Sequence, residues 1–199
     1  VAGERLADFI DVFCDEGFFT VDETDRLLDA GYKYGLRPKI HAEELAASGG
    51  VAVAVKHNAL SVDHLESMPD ESMALLKQSA TMPTLLPGTS FFLNMPYGRG
   101  RRMIDEGLPI ALASDYNPGS TPSGDMKFIM SLACIKMRLL PEEAFNAATL
   151  NGAAAMGLSD EYGSIAVGKQ AKLILTTPIP SLAYLSYAYT SPLIREMIL

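Results

Sequence analysis

The stretch Ile110-Ala111-Leu112-Ala113-Ser114-Asp115-Tyr116-Asn117-Pro118-Gly119-Ser120 runs from small apolar residues straight into a carboxylate and a turn. A continuous apolar run bounded by turn residues is the pattern of a strand buried on both faces, as in a parallel sheet flanked by helices. Asp115 then sits at the C-terminal tip of that strand. In a β/α barrel this tip lies on the open face, where only the loops after the strands shape a site. Asn117-Pro118-Gly119-Ser120 is a turn whose side chains and backbone N–H groups suit a polar ligand. An Asp opening a surface Asx turn has the same local sequence, so the stretch alone leaves both readings open.

The same unit recurs outward from this point. Phe9–Cys14 is a β-rich run, and Thr20-Val21-Asp22-Glu23 has the form of a capping box, which predicts a helix to about Tyr34 stopped by Gly35. Arg37-Pro38-Lys39-Ile40 leads into His41. Residues 51–57 are expected to be helical despite their valines, because Ala59–His64 makes the better strand and parallel strands need a crossover. Pro69–Ser79 predicts a helix, Met82–Leu86 a strand ended by Pro87-Gly88, Thr89–Gly100 a long loop and Arg101–Glu106 a helix. Further helices are expected over 125–138 and from Pro141 onward.

The strand tips therefore fall near Cys14, His41, His64, Leu86 and Asp115, roughly 22 to 30 residues apart as in successive βα units. Residues 1–159 are expected to form the C-terminal part of an α/β, TIM-like (β/α)8 barrel, about five βα units, with the other strands upstream of Val1. An open doubly wound sheet competes, but it usually carries a Gly-rich phosphate turn, and no G-x-G-x-x-G occurs. From Tyr162 the helical period disappears. Gly163–Thr176 reads as two short strands around a Gly168-Lys169 turn, followed by an extended tail with Tyr184, Tyr187 and Tyr189, so 160–199 is expected to belong to a small β domain.

Of the 199 residues 48% are hydrophobic and 20% charged, ample for a core. The formal net charge of -8 argues against nucleic acid as a partner. No window offers the ~18 uninterrupted apolar residues of a membrane span. Cys14 and Cys134 are too few for a disulfide framework and lie in apolar surroundings, which fits reduced thiols and a cytoplasmic setting. The chain lacks an initiating Met, enters an apolar run at once and stops inside another; both ends predict a piece of a longer polypeptide.

Only three histidines occur, and two of them, His41 and His64, end strands of the repeated unit, as Asp115 does. His41 and Asp115 are ligand types for a borderline divalent metal, Zn or Fe. A catalytic site of this kind uses three or more protein ligands, so further ones are demanded from elsewhere. His57, between Lys56 and Asn58, reads as a solvated helix cap. Glu44 is near enough to His41 to bind a substrate N–H or move a proton; a helix N-terminal acid would look the same. Asp63 is expected to point away from His64 across the strand, without a catalytic role.

Together, Lys39-Ile40-His41-Ala42-Glu43-Glu44, Ser61-Val62-Asp63-His64-Leu65, Leu85-Leu86-Pro87-Gly88-Thr89 and Ser114-Asp115-Tyr116-Asn117-Pro118-Gly119-Ser120 resemble the imidazolonepropionase family of metal-dependent amidohydrolases. The likeness runs through essentially the whole chain. It implies a β/α barrel with a β-sandwich domain built from both chain ends, and hydrolysis of 4-imidazolone-5-propanoate to N-formimidoyl-L-glutamate in histidine breakdown. It also implies His41 and Asp115 as metal ligands, Glu44, Asn117, Gly119 and Ser120 as substrate contacts, and His64 as the histidine beside the reacting centre, so that Glu44, His64 and Asp115 are the catalytic candidates. The family's remaining ligands, an H-x-H pair, are expected upstream of Val1. Lys172, where amidohydrolases usually carry Ala-Asp-Leu, departs from the pattern. A cytosine or guanine deaminase is the alternative within the class. The other is a non-catalytic half-barrel that forms a homodimer or otherwise self-associates, since a five-strand series leaves two unpaired edges.

Overall fold

A computed structural model describes residues 1–199. Five strands, β1 (Phe9–Cys14), β2 (Arg37–Ala42), β3 (Ser61–His64), β4 (Met82–Leu85) and β5 (Ala111–Leu112), form one sheet in the order β1-β2-β3-β4-β5, and every neighbouring pair is parallel. Such an order follows when each βα unit is added beside the last; a doubly wound sheet reverses direction at a switch point, and this sheet has none. The fold is therefore α/β with a five-stranded parallel sheet of barrel order.

Helices α1 (Val21–Tyr32), α2 (Gly50–Lys56), α3 (Asp70–Lys77), α4 (Pro87–Phe92), α5 (Gly100–Asp105), α6 (Met126–Lys136), α7 (Pro141–Ala148) and α8 (Leu150–Ala155) connect or follow the strands. At α1 the capping box forms in both directions: Glu23 N–H donates to Thr20 Oγ1 at 3.3 Å and Thr20 N–H donates to Glu23 Oε2 at 2.9 Å. In α2 the valines are tolerated because Val51 and Val53 are buried, and burial outweighs weak helix propensity. Gly50 permits that approach, since a Cβ there would lie 2.5 Å from the Cβ of Ala42.

The two faces of the sheet differ chemically. Val12, Cys14, Ile40, Ala42, Val62, Leu85 and Leu112 belong to the buried apolar core. The alternate positions carry Asp11 and Phe13 on β1, Lys39 and His41 on β2, and Ser61 and Asp63 on β3, with Asp11 beside Lys39 and His41 beside Asp63 in the register. Lys39 Nζ donates to Ser61 Oγ at 2.5 Å and to the carbonyl of Ala155 at 3.1 Å, tying this polar face to the end of α8.

Several expectations are corrected. Pro87-Gly88, expected to end a strand, opens a helix that runs to Phe92 into the stretch expected to be a long loop, because a proline with fixed φ suits the first helical position. The strand expected over Ile110–Ser114 is confined to Ala111 and Leu112. Of the two strands expected within Gly163–Thr176 only β6 (Leu173–Thr176) forms, and it pairs antiparallel with β7 (Ile194–Ile198). Ile165 and Val167 remain exposed, because Lys169 pulls the chain into a turn by donating to the carbonyls of Ser159 and Tyr162. The expected extended tail contains a short helix, α9 (Ala183–Tyr187). Among the described residues no helix is long and apolar enough to cross a membrane.

Candidate active site

His41 is the penultimate residue of β2 and points from the polar face of the sheet. Its Nδ1–H donates to Asp11 Oδ1 at 2.9 Å, which makes Nε2 the nitrogen available to the rest of the cluster. Burial pulls this imidazole toward the neutral form, but the hydrogen bond it donates to Asp11 and the charges of Asp11, Asp63 and Asp115 prevail and push it up to about 9.

His64 reaches the same place by another route. In register it lies beside Ala42, a core residue, so alternation directs it away from His41. Its φ of +85°, followed by +71° at Leu65, breaks the strand and swings the ring over the sheet tip, where it stands 5.3 Å from the His41 ring between centroids. Asp63, not His64, continues the face that carries His41. Asp63 alternates with His64 across the strand, as expected, but the face it takes is the one that carries His41: it forms a second close group with Asp11 and His41 and accepts from Ser61 Oγ at 2.6 Å. Pleating alone could have shown this, because residues paired in register share a face.

Asp115, with φ +52°, lies beyond β5. Its Oδ2 accepts hydroxyl hydrogen bonds from Thr89 at 2.6 Å and Ser120 at 3.0 Å. One ligand atom each from His41, His64 and Asp115 lie within 4.8 Å of one another. Imidazole and carboxylate donors, with one imidazole held through its far nitrogen by a second carboxylate, suit a borderline divalent cation, so the residues fit such a metal.

Glu44 is positioned by Asp15. The Asp15 carboxylate accepts backbone N–H groups from Glu16, Glu44, Leu45 and Ala46 at 2.7, 2.7, 3.0 and 3.2 Å, which folds the loop after β2 over the tip of β1. Glu44 Oε2 stands 3.6 Å from His64 Nε2. Burial, reinforced by the charges of Asp115 and Asp15 and opposed by His41, pushes the Glu44 carboxyl up to about 7. His64 is lowered by burial and by the neighbouring His41 charge, so a neutral imidazole faces Glu44. Phe13, stacked on Phe18 at 4.0 Å, lies 6.3 Å from the His64 ring and walls the cluster on one side.

In the turn after Asp115, Asn117 Oδ1 accepts the N–H groups of both Gly119 and Ser120 at 2.8 Å, and its Nδ2 donates to Ser120 Oγ and the Asp115 carbonyl. The Asx turn and the strand-tip carboxylate are thus the same object: these groups brace Asp115 from within the loop. His57 lies outside the cluster, as expected, but is not solvated; its Nε2 is 2.7 Å from Asp25 Oδ1 with the side chain 11% exposed. Asp11, Asp15, Glu66 and Thr89 were given no role in the sequence reading, and of these only Asp15, just after a strand end, carried a local signal.

A model of the amidohydrolase family matches residues 22–191. Among curated proteins the chain is similar to an imidazolonepropionase of Flavobacterium johnsoniae, 53% identical over 199 residues that make up 100% of this chain and 48% of that protein. An imidazolonepropionase of Christiangramia forsetii is 54% identical over 95% of this chain and 46% of its own length. The chain spans about half the length of these relatives. Among solved structures it resembles an adenosine deaminase from Xanthomonas campestris with bound zinc, at a TM-score of 0.80 and 19% identity, covering 100% of this chain and 54% of that one. A 5-methylcytosine deaminase from Klebsiella pneumoniae matches with a TM-score of 0.78 and 18% identity over 98% of this chain and 55% of its own. At such identities the two structures speak for the fold alone.

Proposed function

The chain belongs to the amidohydrolase family, and from that premise we propose that the polypeptide containing it hydrolyses the ring C–N bond of 4-imidazolone-5-propanoate to N-formimidoyl-L-glutamate, in the cytoplasm, as a step of histidine degradation. The observation that carries this reading is the convergence of His41, His64 and Asp115 within 4.8 Å on a fold whose 53% identical relative is an imidazolonepropionase. His41 and Asp115 would hold one divalent metal, Zn or Fe, with further ligands contributed from outside these residues. When bound, the metal supplies a Lewis acid and a water of lowered pKa. Residues 1–159 belong to a barrel in this reading and 160–199 to a composite β-sandwich.

The Asp115 carboxylate takes the proton of the attacking water. His64 Nε2 donates to the oxyanion that forms at the ring carbonyl. Glu44, buried and raised to about 7, exchanges a proton readily near neutral pH, and in its acid form it delivers that proton to the departing ring nitrogen. Asn117, Gly119 and Ser120 contact the substrate once their internal bonds are exchanged. In the full-length protein, Asp115→Asn is expected to lower turnover by roughly 10³- to 10⁴-fold, whereas Asn117→Ala mainly raises KM. An unaffected turnover number in the Asp115 variant would refute the assignment. Release of ammonia in place of ring opening would transfer the reading to a cytosine- or guanine-deaminase type of reaction. By itself the chain is expected to lack activity, bind metal weakly and self-associate through its β1 and β5 edges, which light scattering and turnover assays check.

A further inference from the structure

Glu66 takes no part in the chemistry above, yet it is 8% exposed and its carboxyl is turned back toward the site. The two left-handed residues before it, His64 and Leu65, reverse the chain so that its side chain returns to the ring of His64. Oε1 accepts the hydroxyl of Ser90, itself buried on α4, at 2.9 Å. Oε2 lies 3.7 Å from His64 Nδ1, and neither of these two buried atoms has another hydrogen-bond partner among the described residues. A buried polar atom left unpaired costs about 1–3 kcal/mol, so a carboxyl whose only anchored oxygen serves to aim the other is an expensive way to fill space. Contraction of the gap by less than an ångström pairs both atoms at once, and site hydrogen bonds commonly shorten in this way when substrate is bound.

We propose that Glu66 is a positioning residue for His64: anchored by Ser90, its carboxyl holds Nδ1 and thereby keeps Nε2 directed at Glu44 and the reacting centre. His64 Nε2 already stands 3.6 Å from Glu44 on the opposite side, so the imidazole is gripped between two carboxyls from different loops. This rests on the reading of His64 as the group beside the reacting carbonyl. An imidazole held through one nitrogen has a defined tautomer and orientation at the other.

The test uses the full-length, metal-loaded protein. Glu66→Leu, which removes the carboxyl, is expected to lower kcat about tenfold or more with KM within about twofold, and to move the ring ¹⁵N shifts of His64 toward mixed tautomers, while Ser90→Ala gives a smaller change in the same direction and Glu66→Gln, whose amide N–H still reaches Nδ1, restores most of both. Unchanged kcat and unchanged His64 shifts in Glu66→Leu overturn the proposal. Should that variant fail to fold, Ser90→Ala decides, and wild-type kcat and shifts there overturn it equally. His64→Asn separates the two claims: full turnover in that variant removes the role of His64 and this inference together. Loss of turnover there, with wild-type behaviour of Glu66→Leu, removes this inference alone.

Discussion

The parallel sheet and the C-terminal strand pair are built from similar apolar residues and end up in opposite conditions. In β2 and β3, Ile40 and Val62 are wholly buried, whereas every residue of β7 is exposed and Ile174 on β6 is 60% exposed. The sheet is covered on its apolar face by crossover helices, so its strands cannot slide without opening a core; β6 and β7 are held mainly by their own ladder. A reacting group placed at the tip of a buried strand inherits that rigidity. One placed on the outlying pair would not, and the chemistry-bearing residues all lie on the sheet or in the loops at its strand tips.

That contrast can be broken or sharpened in order of expected effect. Asp15→Ala strands the backbone N–H groups of Glu44, Leu45 and Ala46 and should destabilise the folded protein by about 3 kcal/mol or more, with a rise in KM from the displaced Glu44; urea titration and steady-state kinetics measure both. Gly50→Ala forces a methyl group against Ala42 and the Cys14 carbonyl, so a loss of about 1–3 kcal/mol in the same titration is expected.

A third test uses pH. Burial pushes the Glu43 carboxyl up to about 7 from its ordinary 4.5, with Ser72 donating to Oε1 at 2.9 Å. The folded chain therefore keeps a proton that the unfolded chain releases. The contribution of this group is complete below pH 4.5 and declines as pH rises through 7. Glu43→Gln should flatten that decline in denaturation midpoints taken across the window; an unchanged slope counts against the buried acid. The smallest effect belongs to the outlying pair, where Ile174→Ala should stay within about 0.5 kcal/mol of the parent. A larger loss there would mean that β6 and β7 are covered in the full-length protein.

Periodicity and punctuation were enough to read the βα rhythm, the capping box at Thr20, His41 and His64 near strand ends and Asp115 in the turn beyond a strand, because these follow from local pattern. The helix at Pro87 was hidden by its own first residues, since Pro-Gly also closes strands. Asp11 and Glu66 carried no signal at all: each matters only through a neighbour, His41 at a separation of 30 residues and the ring of His64 across two left-handed residues. What the sequence by itself determined was the order of elements and the residue types delivered to the strand tips, since both are functions of hydrophobic period and turn chemistry. Which face each side chain took, and which carboxylate met which imidazole, was decided only by tertiary structure, because register and positive φ values are set by packing between segments that the local sequence does not know.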